Sequence, residues 1–290
     1  MSDFTELLSP IITGILLGGL YALIALGLSL VFGVMKLINV AHGDIVVFGS
    51  YFGYAALTIL GLDPILSLVA GIPLMFVIGL GIQKFLLNRA FKISMEAPLI
   101  IAFGLSIILQ NTYQIVWSPM SRGLTTSYSL KSFSMGQVYF PLVYILDFFV
   151  ALIVMLFLRE FLRRTYLGWA INAASQDRKA AQLMGINTDR VYAFTFAIAM
   201  AVAGVAGVCF GLTFPFVPTS GLSFLIIAFG VVVLGGLGNI AGTFVGGIVF
   251  GLAQTLGSHF FGVNAQLLVA YLMVLLVLSI RPQGIFGSQG

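Results

Sequence analysis

Apolar runs follow one another along the whole chain, and short polar stretches separate them. A helix of about 20 residues crosses the ~30 Å hydrocarbon core of a bilayer, whereas the strands of a membrane barrel are shorter and alternate in polarity. The pattern therefore predicts an all-α polytopic membrane protein with about nine (eight to ten) transmembrane helices. The predicted spans are 11–32, 43–60, 64–83, 97–117, 141–158, 191–214, 224–237, 243–256 and 266–280.

The spans that follow residue 223 are short, at about 14 residues each. At about 1.5 Å per residue, such a helix is shorter than a ~30 Å hydrocarbon core. We expect these segments to be tilted, broken or re-entrant.

The basic residues fall on alternate connections between the spans. If 84–96 is cytoplasmic, eleven cations lie inside and two, Arg122 and Lys131, lie outside. This asymmetry predicts that the N terminus is outside and the C terminus inside. The net charge of +4 then reflects membrane orientation and contact with lipid, and no nucleic-acid partner is needed to explain it. The inside cations are Lys36, Lys84, Arg89, Lys92, Arg159, Arg163, Arg164, Arg178, Lys179, Arg190 and Arg281.

Composition supports the membrane assignment and narrows the function. Apolar residues make up 60% of the 290 positions and charged residues 8%, whereas a soluble domain has about 25% charged residues. No Cys/His cluster suggests a metal site, and no Gly-x-x-x-x-Gly-Lys-Ser/Thr motif is present to hold a nucleotide. We expect one transmembrane domain over 1–290, and if it pumps, another subunit supplies the energy.

A polar interruption separates the first two spans. Asn39, His42 and Asp44 lie within six residues and are flanked by glycines. One interpretation is a discontinuous element that lines a substrate path, where exposed backbone faces protein or water. The alternative is a polar cytoplasmic turn. Three amides on the fourth span are secondary candidates for the path: Gln110, Asn111 and Gln114.

The cytoplasmic loop 159–190 contains an alanine-rich segment, 170–184, without glycine or proline. It is predicted to be one short helix that ends at Gly185, and Thr188 or Asp189 suits the cap of the next span. One interpretation is a docking knob for a partner, and the alternative is an amphipathic helix that rests on the membrane. The candidate contact residues are Asp177, Arg178, Lys179, Ala180, Leu183, Met184 and Gly185.

Glycine pairs spaced four residues apart recur inside the spans, at 14/18, 207/211, 242/246 and 247/251. Such pairs favour close packing of helices. The alternative is a thin-walled pore in which backbone is exposed to substrate.

Several specific sequence motifs are distributed along nearly the whole chain. The most specific are Ile-Asn-Val-Ala-His-Gly at 38–43 and Asp-Arg-Lys-Ala-Ala-Gln-Leu-Met-Gly-Ile-Asn at 177–187. Others are Gly-Gly-Leu-Tyr-Ala-Leu-Ile-Ala-Leu-Gly at 18–27, Leu-Gly-Gly-Leu-Gly-Asn at 234–239 and Arg-Pro-Gln-Gly-Ile-Phe-Gly at 281–287. Together these motifs resemble the LivH-type permeases of ATP-binding-cassette importers for branched-chain amino acids, and the resemblance runs nearly end to end. Val40 replaces the bulkier residue that this family often has at that position.

The resemblance implies a translocation subunit in a bacterial inner membrane that imports leucine, isoleucine and valine and is not itself an enzyme. Its partners would be a second, LivM-like permease, two cytoplasmic ATPases that use ATP and Mg²⁺, and a periplasmic solute-binding protein; this chain would bind no cofactor. The 170–185 segment would then be the coupling helix. Two alternatives remain: a stand-alone channel for urea or another small polar solute, and the same importer class with urea or another amino acid as substrate.

Overall fold

The structure, a computed structural model, describes residues 2–94, 96–135 and 138–287. The described residues are mostly helical, and they include one antiparallel hairpin of Ser132–Met135 (β1) with Val138–Pro141 (β2). The helices are α1 (Ser2–Met35), α2 (His42–Leu60), α3 (Pro64–Ile82), α4 (Asn88–Ala90), α5 (Ala97–Trp117), α6 (Leu142–Arg164), α7 (Tyr166–Gln176), α8 (Arg178–Leu183), α9 (Thr188–Thr213), α10 (Gly221–Gly235), α11 (Ile240–Phe261) and α12 (Gln266–Ile280).

Eight helical segments of the described chain are long and apolar enough to cross a membrane, and α10 is a ninth, shorter one. This confirms the predicted all-α polytopic class and the span count. The prediction that 243–256 is a short segment is wrong, because α11 has 22 residues. Polar Asn239 begins that helix by accepting a hydrogen bond from the Gly242 amide (2.8 Å), so a residue outside the apolar run sets its start.

The connection after the third span, predicted to be 84–96, begins later than predicted. After α3 the helix continues through a π-helical turn, Gln83–Leu87, and into α4. Gln83 is fully buried and donates a hydrogen bond from its side chain to Asn88 (2.9 Å). Polar residues that pair with one another inside the helix therefore extend it beyond its apolar run.

α1 lies at the centre of the bundle and packs against α6, α9, α10 and α11. The closest approach is to α11, where Gly14 and Gly18 lie against the backbone of Gly247, Ile248 and Gly251. A Cβ added to Gly18 would lie 2.5 Å from the Cα of Ile248. These glycine pairs make close helix contacts, as the spacing predicted.

The ends of the helices lie on two opposite sides of the helix bundle. One groove joins Met35, at the end of α1, to α7 and to Tyr192 of α9, and another joins Arg163 to Asn239. On the other side Arg122 pairs its backbone with Phe216 and donates to the Tyr54 hydroxyl (2.6 Å). The side that collects most of the cations is called the basic side below. That this side faces the cytoplasm stays a prediction.

Candidate substrate path and coupling surface

The polar interruption after α1 forms a tight turn inside the protein. Lys36 has a left-handed backbone (φ 52°) that ends α1, and the Asn39 side chain accepts a hydrogen bond from the Ala41 amide (3.2 Å). The His42 Nε2 lies 2.8 Å from the carbonyl oxygen of Ile24. Asn39 and His42 are each 2% exposed. Asn39 stabilises the turn itself, and His42 joins the turn to α1.

The contact between His42 and Ile24 sets the depth at which α2 begins. Ile24 precedes the end of α1 by 11 residues, a distance of about 16 Å along the helix axis. This is about half of a ~30 Å hydrocarbon core. The segment 36–41 therefore returns into the bundle, and α2 begins there. This agrees with a discontinuous element between the first two spans, and that the element lines a substrate path stays a prediction.

Asp44, in the first turn of α2, joins three helices. Its Oδ2 accepts a hydrogen bond from Ser106 of α5 (2.5 Å), and the Tyr113 hydroxyl donates to its backbone carbonyl (3.0 Å). Gln110 donates in turn to the Ser106 hydroxyl (3.2 Å). The Asp44 Oδ1 lies against Gly221 and has no hydrogen-bond partner among the described residues.

The contact with Gly221 shows that α10 also begins inside the bundle, next to the first turn of α2. α10 has 15 residues, about 22 Å of helix, which is too short for a ~30 Å core. The expectation of a short or broken segment is confirmed here. Two helix N termini thus meet beside one carboxyl group, in an arrangement that hydropathy alone does not predict.

The predicted path residues separate into two groups. Asn39, His42, Asp44 and Gln110 come together at the α1–α2–α5 junction, whereas Asn111 and Gln114 are exposed on the outer face of α5. Asn111 donates to the carbonyl of Ile107 in its own helix (2.8 Å). Exposed amides inside a membrane span are costly against lipid, so this face of α5 is suited to water or to a protein partner.

The sequence alone does not indicate a role for Ser106 and Tyr113, two residues of α5 that donate hydrogen bonds to Asp44. The available signal was the spacing of Ser106 and Gln110, because residues four apart share one face of a helix. Nothing local in the sequence links either residue to Asp44.

The loop between α6 and α9 differs from its prediction. The single helix over 170–184 is wrong: α7 ends at Gln176, and Asp177 adopts an extended backbone (φ −148°, ψ 110°) before α8. The Asp177 side chain accepts hydrogen bonds from the amides of Lys179 (2.8 Å) and Ala180 (3.0 Å). An aspartate that caps a new helix in this way competes with continuation of the old one.

The end of α8 is an exposed apolar knob, defined here as Leu183 and Met184. Leu183 is 88% exposed and Met184 82% exposed. Gly185 follows with a left-handed backbone (φ 84°), which agrees with the predicted end of the helix. The α9 cap is Asn187, whose side chain accepts from the Arg190 amide (3.1 Å), and not the predicted Thr188 or Asp189.

The charges beside the knob do not share one surface. Lys179 and Ala180 are exposed, while Arg178 turns toward α9 and lies 3.5 Å from the Asp189 carboxylate. The Arg178 guanidinium also stacks over the Tyr192 ring, at 5.1 Å from its centre. Arg178 therefore fastens α8 to α9 and leaves Lys179 and Ala180 free to face solvent.

The amino-acid sequence of this chain is similar to those of known transport proteins. The family described as "branched-chain amino acid transport system / permease component" matches residues 11–278. The permease BraD of Pseudomonas aeruginosa is 35% identical over 99% of this chain and 98% of its own length. The LivH permease of Salmonella typhimurium is 34% identical over 98% of this chain and 97% of its own. Both are named high-affinity branched-chain amino acid transport system permeases.

Two more distant similarities concern partners and fold. The LivM permease of Salmonella typhimurium is 27% identical over 92% of this chain and 67% of its own length. Among solved structures, PsaBC from Streptococcus pneumoniae in complex with Fab aligns with a TM-score of 0.53 and 13% identity, over 94% of this chain and 92% of that one. At that identity the likeness concerns the fold alone.

Proposed function

Because the chain belongs to the family of permease components of branched-chain amino acid transport systems, we propose that it is the translocation subunit of an ATP-driven, binding-protein-dependent importer of leucine, isoleucine and valine. The chain is a multi-pass membrane permease of the bacterial inner membrane, and eight long apolar helical segments in its described part support this location. In this proposal the chain has no catalytic residue and binds no cofactor.

The substrate assignment comes from relatives that align over nearly their whole length, at 34% and 35% identity. The soluble binding protein of such an importer selects the substrate, so its binding profile tests the assignment directly. Tight binding of leucine, isoleucine and valine is expected. Binding of urea or another amino acid instead would leave the importer class intact and change only the substrate.

The energy for import is assigned to two separate cytoplasmic ATPases that use ATP and Mg²⁺. The sequence has no phosphate-binding Gly-Lys-Ser/Thr motif, so a mechanical contact must carry the ATPase motion to the permease. A short helix transmits such motion when it is fixed to its own subunit and fits a groove in the partner.

The observation that carries the coupling assignment is the exposed knob on α8. Its two side chains are more than four-fifths exposed, although the helix beneath them is anchored through buried Ala181 and through the Arg178–Asp189 pair. Apolar side chains presented on an anchored helix favour insertion into a partner's pocket. Ala180 offers a small surface beside them, and Lys179 supplies a charge for the rim of the contact.

The test replaces Ala180 in the reconstituted complex and measures substrate-stimulated ATP hydrolysis. Ala180→Arg would put a long cation into the contact, and we expect it to uncouple or detach the ATPases while leaving membrane insertion unchanged. Ala180→Ser is the matched control, because it keeps the small volume and is expected to preserve stimulation. Full assembly and stimulation with Ala180→Arg would contradict the assignment and move the contact to 84–96.

A second, LivM-like permease is the proposed partner within the membrane. The similarity of this chain to both LivH and LivM of one organism supports a pair of related subunits. The exposed amides of α5 favour this helix as the surface where the pair meets and the amino acid passes. Polar groups without fixed charges suit a zwitterion that must bind weakly and leave again.

The buried residues of the re-entrant turn serve this path in a supporting role in our proposal. Asn39, His42 and Asp44 hold the α2 and α10 N termini, and Asp44 reaches α5 through Ser106. A shift of these helices would therefore move the proposed path.

Co-purification distinguishes this importer from a stand-alone channel. A channel is isolated without ATPases and conducts solute in liposomes without ATP.

A further inference from the structure

An open groove of about 860 Å³ lies on the basic side, between the end of α3 and the beginning of α9. The π-helical turn after α3 and the helix α4 form one wall, and the first turns of α9 form the other. The groove is distinct from the α8 knob and from the re-entrant turn.

One half of this groove is apolar and faces outward. Val77 is 63% exposed, Phe85 is 57% exposed and Phe194 is 37% exposed. Gly81 lies between them, and a Cβ added there would meet no atom within 4 Å. The apolar half is therefore an unfilled channel that runs along the helices.

The other half is basic. Lys84, Arg89, Lys92 and Arg190 are all exposed, and none of them pairs with a carboxylate among the described residues. Among the described residues that line the groove, Asp189 is the only acidic one. It lies 3.5 Å from the guanidinium of Arg178, which stands outside the groove. Four cations thus converge on a site in which the only carboxylate is already paired.

The position along α3 places the two halves at different depths. Lys84 lies 20 residues beyond Pro64, the first residue of the span, which corresponds to about 30 Å of helix. The cations therefore lie at the level of the lipid headgroups, and Val77 and Gly81 lie within the hydrocarbon layer.

We propose that this groove binds an anionic phospholipid, with its phosphate among Lys84, Arg89 and Arg190 and one acyl chain along Val77 and Gly81. The groove complements both parts of such a molecule, a negative headgroup and a hydrocarbon chain. A soluble protein partner cannot reach the apolar half, because that half lies inside the bilayer. The proposal is independent of the substrate and of the ATPases.

The experiment titrates phosphatidylglycerol and phosphatidylcholine onto the intact, delipidated chain and counts bound lipid by native mass spectrometry. We expect phosphatidylglycerol to bind about 100-fold more tightly than phosphatidylcholine. Lys84→Gln, Arg89→Gln and Arg190→Gln together should remove this preference, at about fivefold per cation. The matched control neutralises three cations at the end of α6, Arg159, Arg163 and Arg164, and should change binding less than twofold.

A second variant tests the acyl channel without changing charge. Gly81→Leu fills open space, so the fold should hold, and we expect weaker binding of both lipids with the preference retained. If the triple variant does not fold, the single variant Lys84→Gln, with an expected loss of about fivefold in phosphatidylglycerol binding, replaces it.

Three results would overturn the proposal. The first is an equal loss of binding in the α6 control, which would mean unspecific attraction to a basic surface. The second is displacement of phosphatidylglycerol by glycerol phosphate at the same concentration, which would mean a phosphate site without an acyl channel. The third is unchanged lipid binding in Gly81→Leu.

Discussion

The helices α1 and α12 are both long apolar segments, yet they occupy opposite places in the protein. Over the most apolar 18 residues of each segment, 83% of α1 is buried inside the protein, against 11% of the segment that contains α12. α1 contains five glycines, whereas α12 contains no glycine. At these glycines the backbone of α1 contacts the backbones of α9 and α11. In a membrane, apolar surface is equally stable against lipid and against protein, so small residues, and not hydrophobicity, select the central helix.

The largest expected effect comes from enlarging a glycine in the central helix. Gly18→Leu would press a side chain into the backbone of Gly247 and Ile248, which cannot rotate away, and should cost more than about 3 kcal/mol. We expect little folded protein in detergent, measured by size-exclusion chromatography and thermal unfolding.

The matched control for that variant is Gly104→Leu on the peripheral helix α5, where an added Cβ meets no atom within 4 Å. It should behave like the parent protein. If both variants fold equally well, the contrast between central and peripheral helices is wrong.

The next effect concerns the link between periphery and centre. Ser106→Ala removes the hydroxyl that donates to Asp44 and leaves a buried carboxyl group without that partner. The expected loss is about 1–3 kcal/mol, seen as a lower thermal unfolding midpoint. Ser279→Ala makes the same change on the exposed face of α12 and should stay within about 0.5 kcal/mol. Equal destabilisation would show that α5 is not held through Asp44.

The exposed amides of α5 sharpen the comparison, because their replacement should reduce function and leave stability unchanged. Asn111→Leu with Gln114→Leu suits lipid and should leave the isolated chain as stable as before. Uptake by the assembled importer should fall about tenfold, equivalent to about 1.4 kcal/mol, because the proposed path loses its polar partners.

The control for the amide pair exchanges two outward apolar residues of the same helix, Ile100→Leu and Ile108→Leu, and should leave uptake unchanged. Normal uptake in the amide variant would remove α5 from the path.

The smallest expected effect is at a helix end. Asn239→Ala deletes the cap of α11 and its contact with the Phe286 carbonyl (3.0 Å), and should cost about 1 kcal/mol. Asn264→Ala, an exposed position before the uncapped α12, should have no measurable effect on the unfolding midpoint. A loss of equal size at Asn264 would mean that capping does not distinguish central from peripheral helices.

The sequence predicted most of the fold, because apolar runs and glycine spacing are local properties. The bounds of α5 and α12 match the predicted 97–117 and 266–280. The sequence predicts a coupling helix in the loop 159–190, which stays a prediction, and it does not reveal the division at Asp177. The alanine content of this loop favours one continuous helix. The Asp177 side chain outweighs that preference, because it accepts hydrogen bonds from the amides of Lys179 and Ala180 and so begins a new helix.

The sequence by itself determined which segments can enter a membrane and where their polar ends lie, since transfer of a run of side chains into hydrocarbon depends on that run alone. Only the tertiary structure decided how deep α2 and α10 begin and which helix occupies the centre. Those features depend on contacts between distant segments: His42 with Ile24, Asp44 with Ser106, and Gly18 with Ile248. No hydropathy pattern records such pairs, because each partner is as apolar or as polar in its own segment whether or not the other is near.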